Sequence, residues 1–159
     1  MTPTLDTEAI RRVLHDHPLF AGLSEAQRDA MAACATTRAF KPGDVLLQEG
    51  ACADRFHVLL SGTVAVQIAD PGRGLLTLQT LHGGDVLGWS WLIPPYRWSF
   101  AATATEPTEA VVFDAPSLRR VIAADHEIAF HLLPRFVAVM ADRLHAARLQ
   151  MLDLYGPPS

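Results

Sequence analysis

The chain is poor in charge, with only 19% Asp, Glu, Lys and Arg, and it has no basic excess: 13 Lys and Arg stand against 17 Asp and Glu. A net charge of -4 excludes a general electrostatic attraction to nucleic acid. Cysteine is scarce as well. Cys34 and Cys52 have neither CxxC spacing nor a neighbouring histidine cluster, so reduced thiols are expected and a structural zinc site is not. The seven histidines include no pair at ligand spacing on one element, which argues against a metal centre. No apolar run approaches the length that crosses a bilayer, and Met1 to Ile10 lacks the apolar core of a signal peptide, so a cytoplasmic protein off the membrane is expected. GxSxG, HExxH and GxxxxGK motifs are all missing, and no nucleophile stands near a base, so no enzyme is expected.

What is present is apolar material: half of the 159 residues are hydrophobic, enough for one domain with a substantial core. Ile10, Val13 and Leu14 give Asp6 to Asp16 a helical spacing that Pro18 ends. Ser24-Glu25-Ala26-Gln27 is a capping box, predicting a helix to about Cys34 with Ala26, Ala30 and Met31 on its apolar side. From Thr36 the period becomes two. Short strands are predicted at 38–40, 45–48, 56–60, 64–68, 75–81, 86–87, 98–104 and 110–113, separated by turn sequences rich in Gly, Pro and Asp. Phe56, Val58, Leu60, Val64, Val66 and Ile68 are expected to face inward. Strands of this number and spacing describe a double-sheet, jelly-roll-like fold, mainly β with flanking helices. The chain divides into N-terminal helices at 1–35, a roll at 36–115 and C-terminal helices at 116–159.

Pro116 suits a first helical turn, and a helix is expected from there to about Ala124. A further helical stretch begins at Asp125 and is expected to kink or break at Pro134. Beyond it, Leu133, Val137, Met140, Leu144, Ala147, Met151 and Leu154 alternate spacings of four and three, an a/d seam. Such a stripe packs either on its own roll or on a second copy. Its length and place at the chain end favour a homodimer through 133–154, closed off by Gly156-Pro157-Pro158.

The stretch 83–104, GGDVLGWSWLIPPYRWSFAATA, gathers all three tryptophans between small-residue flanks. Gly83-Gly84-Asp85 reads as a tight turn, and Pro94-Pro95 limits any helix before it to a single turn. A short turn leading to Arg97 at a strand start would gather free N–H groups and a guanidinium around one point, an arrangement suited to phosphate.

Residues 18 to 155 resemble the cyclic-nucleotide-binding domain of the catabolite-activator (Crp/Fnr-like) regulators. HPLFAGLSEAQRDAMA is similar to that family's entry segment, and KPGDVLLQEGACADRFHVLLSGTVAVQ to its first strands with Gly43, Gly50 and Gly62 at the turns. LHGGDVLGWSWL resembles its L-x-x-G-D-x-x-G approach to the phosphate-binding cassette. RWSFAATATEPTEAVVFD resembles the exit, with Arg97 at the place of the phosphate-pairing arginine, and Arg143-Leu144 stands where members often have such a pair. Two positions depart. The family's glutamate after the cassette glycine, an acceptor for the ribose hydroxyl, is Trp89 here, and the base-contacting helix positions are Ala147 and Arg148. The helix-turn-helix that follows the long helix in the transcription factors has no counterpart before Ser159, so direct DNA binding is not expected.

The resemblance implies a ligand site made of Gly88, Trp89, Ser90, Trp91, Arg97, Trp98, Ser99 and Arg148. Individual residues admit a second reading. Arg97 is a phosphate ligand, or a surface arginine that covers Trp98 or pairs with Asp85. The tryptophans stack on a base or fill the core, Ser90 meets phosphate or caps the short turn, and Arg148 reaches a base or flanks the coiled coil. The expected function is that of a dimeric sensor binding a cyclic nucleotide (cAMP or cGMP) or a related phosphate-bearing small molecule and acting on a partner protein. The alternative is a degenerate roll that binds no nucleotide and serves as an interaction scaffold.

Overall fold

The computed structural model describes residues 6–154. The side chains of Gln150, Met151, Asp153 and Leu154 lie outside the described set, as does Gly156-Pro157-Pro158; the last two seam positions and the expected helix stop fall among them. The order of elements is helices α1 (Thr7–Asp16) and α2 (Glu25–Ala32), then eight strands, then helices α3 (Ala115–Ala124) and α4 (His126–Leu154). The strands are β1 (Ala35–Phe40), β2 (Val45–Leu47), β3 (Arg55–Ser61), β4 (Thr63–Asp70), β5 (Gly74–His82), β6 (Val86–Leu87), β7 (Ala101–Ala104) and β8 (Thr108–Asp114).

Local sequence explains most of these boundaries. The Asp6 carboxylate caps α1 by accepting from the Ala9 N–H at 3.1 Å. At α2 both capping-box bonds form, with Ser24 Oγ accepting from Gln27 N–H at 3.2 Å and Gln27 Oε1 accepting from Ser24 N–H at 2.8 Å. The buried face of α2 differs from the expected one: it carries Gln27 and Met31, while Ala26 is exposed. Gln27 turns inward because its amide donates to the Asp125 carboxylate at 3.2 Å, tying α2 to the end of α3.

The strands form two four-stranded sheets, ordered β1-β8-β3-β6 and β2-β7-β4-β5, and all their pairings are antiparallel. Gly62 makes the corner between β3 and β4 with φ +96°, where a Cβ would lie 2.3 Å from Thr108 Oγ1 and 2.5 Å from the Pro107 carbonyl oxygen. Only glycine fits that corner.

Burial along the strands follows the expected faces in part. Phe56, Val58, Val64 and Val66 are buried, but Leu60 and Ile68 are half-exposed, and β3 also buries His57 and Leu59 on its other face. The core is aromatic: Phe56 stacks on Phe113 at 4.6 Å and on Trp91 at 5.3 Å, and meets Phe136 of α4 edge-on at 5.2 Å.

Of the two outcomes expected at Pro134, a kink or a break, the break does not occur: α4 is one helix with Pro134 inside it. Ile128 and Leu132 before the proline and Phe136 after it are all buried, so packing on both sides holds the helical path. The Phe130 carbonyl loses its N–H partner to the proline ring. Phe130 is exposed, which puts that residue on the water side.

Candidate ligand site

β6 pairs with β3 and delivers the chain to Gly88, whose φ of +97° turns it into a single helical turn at Ser90–Leu92. No side-chain bond caps this turn, so Ser90 does not act as its cap; Ser90 is buried. After Pro94-Pro95, Tyr96 takes a positive φ of 57°, and from Arg97 the chain runs extended beside residues 50–53. The Ala53 N–H donates to the Tyr96 carbonyl at 2.7 Å, the Trp98 N–H to Ala51 at 2.9 Å, and the Gly50 N–H to Trp98 at 2.9 Å. This bridge shortens the predicted strand, and β7 starts at Ala101 rather than Trp98.

The bridge also decides which way the side chains point. Neighbours on an extended segment face opposite sides. Trp98 turns in and is buried, while Arg97 turns out, is exposed, and donates to the Gly50 carbonyl at 3.2 Å. The Trp98 ring lies over Gly88, and a Cβ there would meet two of its carbons at 2.9 Å. The remaining space among Gly88, Trp89, Ser90, Trp98 and Ser99 is about 10 Å³, room for roughly one water. Trp91 is fully enclosed in the core, and Ser99 and Arg148 are exposed. Gly88, Trp89, Ser90, Trp98 and Ser99 therefore gather around one point, whereas Trp91 and Arg148 stand apart from it.

Two arginines outside the sequence-derived set hold this segment from the helices. Arg119 of α3 donates to the Trp91 carbonyl at 2.6 Å and lies 4.6 Å from the centre of the Tyr96 ring. Arg143 of α4 donates to the Val86 carbonyl and lies 5.0 Å from the centre of the Trp89 ring. Trp89 in turn meets Phe100 edge-on at 5.8 Å. Burial draws the Arg143 pKa down to about 10, with Asp85 opposing that shift. The signal for Arg143 was available: it is a cation flanking an apolar seam, one residue before Leu144. Beside it, between the roll and α4, opens a second space of about 450 Å³.

Comparison with known proteins bears on this geometry. A family model described as the cyclic nucleotide-binding domain matches residues 37–125, more than half of the chain. A cGMP-dependent protein kinase of Toxoplasma gondii is 30% identical over 120 residues, which are 76% of this chain and 12% of the kinase. The chain thus spans about an eighth of the curated relatives it matches. Among solved structures, the catabolite activator protein of Thermus thermophilus has a TM-score of 0.66 and 27% identity over 87% of this chain and 62% of that one. A cyclic nucleotide-binding domain from Methylobacillus flagellatus has a TM-score of 0.77 and 22% identity over 92% of this chain and 82% of that one.

Proposed function

The chain belongs to the cyclic nucleotide-binding domain family, and from that premise we propose that it is a regulatory domain rather than an enzyme, one that takes a small anionic molecule between its roll and α4 and reports it through that helix. The observation that carries this reading is the pair of arginine ties. Arg119 and Arg143 fasten the segment around Trp89 to Tyr96 to two different helices, so a ligand that shifts the segment changes the contacts of both. Val137 and Leu144 on α4 are 61% and 64% exposed, which supports pairing with a second copy. A partner protein would then read the altered helix.

A cyclic nucleotide is the ligand class that the family suggests. In that role Arg97, Ser99 and the N–H groups around Gly88 to Ser90 would hold the phosphate, with Trp89 toward the base, while Trp91 lies enclosed in the core and Arg148 stands apart from this cluster. Seating it requires Trp98 to leave Gly88. That requirement favours a second reading, an interaction scaffold that binds no nucleotide, and Trp89 in place of the sugar-binding carboxylate points the same way.

Calorimetric titration with cAMP and cGMP on wild type, Arg97→Ala and Trp98→Ala separates the two. Saturable binding by wild type that is lost in Arg97→Ala supports a nucleotide sensor. Binding gained only in Trp98→Ala identifies the indole as a plug and rejects nucleotide sensing by the native chain. No heat from any of the three at millimolar ligand rejects it as well.

A further inference from the structure

The space beside Arg143 has walls of one chemical kind. Val66, Leu78 and Phe100 supply the roll side, and Val137, Met140 and Leu144 supply the helix side. At about 450 Å³ it falls in the range of small-molecule sites. Trp89 is part of the lining, with Arg143 over its ring.

Two polar groups interrupt this lining: Arg143, whose guanidinium meets the Val86 carbonyl and the Trp89 ring but no carboxylate, and Gln79. The Arg143 guanidinium is half-buried and always charged, yet among the described residues it forms no ion pair. Asp85, the acid that acts on it at longer range, already accepts from the His82 N–H. Gln79 Oε1 is buried and accepts no hydrogen bond. A cation and an orphan acceptor left at an apolar cavity are each costly unless something fills their capacity.

The lining also says what does not belong there. It contains no carboxylate, so the ribose hydroxyls of a nucleotide would find Gln79 alone as a side-chain carbonyl acceptor, and the sugar-phosphate would press on hydrocarbon. A second copy of α4 paired along this stripe would bring seam positions 133, 137, 140, 144 and 147, which are all apolar, so even in a dimer the Arg143 charge calls for an anion from elsewhere.

Building on the reading of this domain as a sensor, we propose that the cleft between roll and α4 binds an amphipathic aromatic monocarboxylate, its carboxylate on Arg143 and its ring between Trp89, Leu78, Phe100 and Met140. Arg143 is then the anion-holding residue, in place of the outward-facing Arg97. A donor on the ring, such as an indole N–H, would serve Gln79. Binding would strengthen the tie between α4 and the roll at the Trp89 end.

The test is calorimetry on the full chain with indole-3-acetate as probe and indole-3-acetamide as its neutral counterpart, beside cAMP and cGMP. The expected result is saturable one-to-one binding of the acid, with the amide weaker by about tenfold or more. Arg143→Gln should bring acid and amide to near-equal affinity. The acid-to-amide ratio is measured on wild type, so it stands even if that variant does not fold. Equal binding of acid and amide by wild type overturns the assignment. Nucleotide binding without acid binding overturns it while leaving the sensor reading intact; no binding of any of the four ligands removes both. Sedimentation supplies the remaining arm: an acid affinity that falls in step with dimer formation means that a second copy fills the cleft, and the proposal fails.

Discussion

His57 lies in β3 with no exposure, and the Phe40 ring meets it edge-on at 6.0 Å. Burial keeps its ring neutral and draws its pKa from 6.5 down to about 3, with Arg55 and Arg38 acting in the same direction. Between those two values the unfolded chain takes up a proton that the folded chain refuses. Stability is therefore whole above about pH 6.5 and declines as pH falls toward 3, by up to about 1.4 kcal/mol per unit. His57→Phe keeps the ring and removes the titration. Urea unfolding at pH 7 and pH 4.5 should show wild type losing on the order of 2 kcal/mol more than this variant; parallel losses would show that the acid sensitivity lies elsewhere. Gly62 gives a second prediction at this scale. Its positive φ and the 2.5 Å approach to the Pro107 carbonyl oxygen leave no room for a methyl group, so Gly62→Ala should cost roughly 2 kcal/mol or more in the same assay. A variant within 0.5 kcal/mol of wild type would mean that the corner relaxes freely.

Helix α4 carries Pro134 because its anchors straddle it. Ile128 and Leu132 on one side and Phe136 on the other are each buried to within 1% of completely, and together they fix a helical path that the proline ring only locally opposes. Replacing it should restore one N–H and its bond to the Phe130 carbonyl, so Pro134→Ala is expected to raise stability by about 1–2 kcal/mol in thermal unfolding. A lower melting temperature would show that the helix is shaped around the proline. This element also marks where reading the sequence stopped. All eight strands and the α2 capping box were legible, because alternation, turn residues and caps are signals a few residues long. The choice between a kink and a break at Pro134 was not, since it depends on core contacts distant in sequence. The same holds for Trp98 and Arg97, whose inward and outward directions come from the bridge to residues 50–53, and for the choice between Arg143 and Arg148. Five residues separate those two, about 140° around a helix, so only one of them can face the roll.

The whole molecule leaves an apolar stripe on α4 facing water: Leu133, Val137 and Leu144 are 39%, 61% and 64% exposed, at positions four and seven apart. A stripe of that spacing is covered most simply by its own symmetry mate, since an isologous contact presents the same row to itself and each exposed knob finds the facing hole. The wild-type chain should then sediment at twice its 17.3 kDa. Val137 and Leu144 are exposed within one chain, so changing both to Asp removes little folding energy while setting like charges against each other across the axis. Val137→Asp with Leu144→Asp is accordingly expected to sediment as a monomer with unchanged far-ultraviolet circular dichroism. Should wild type itself run as a monomer at tens of micromolar, or should the doubly substituted chain remain dimeric, the pairing does not run along this row.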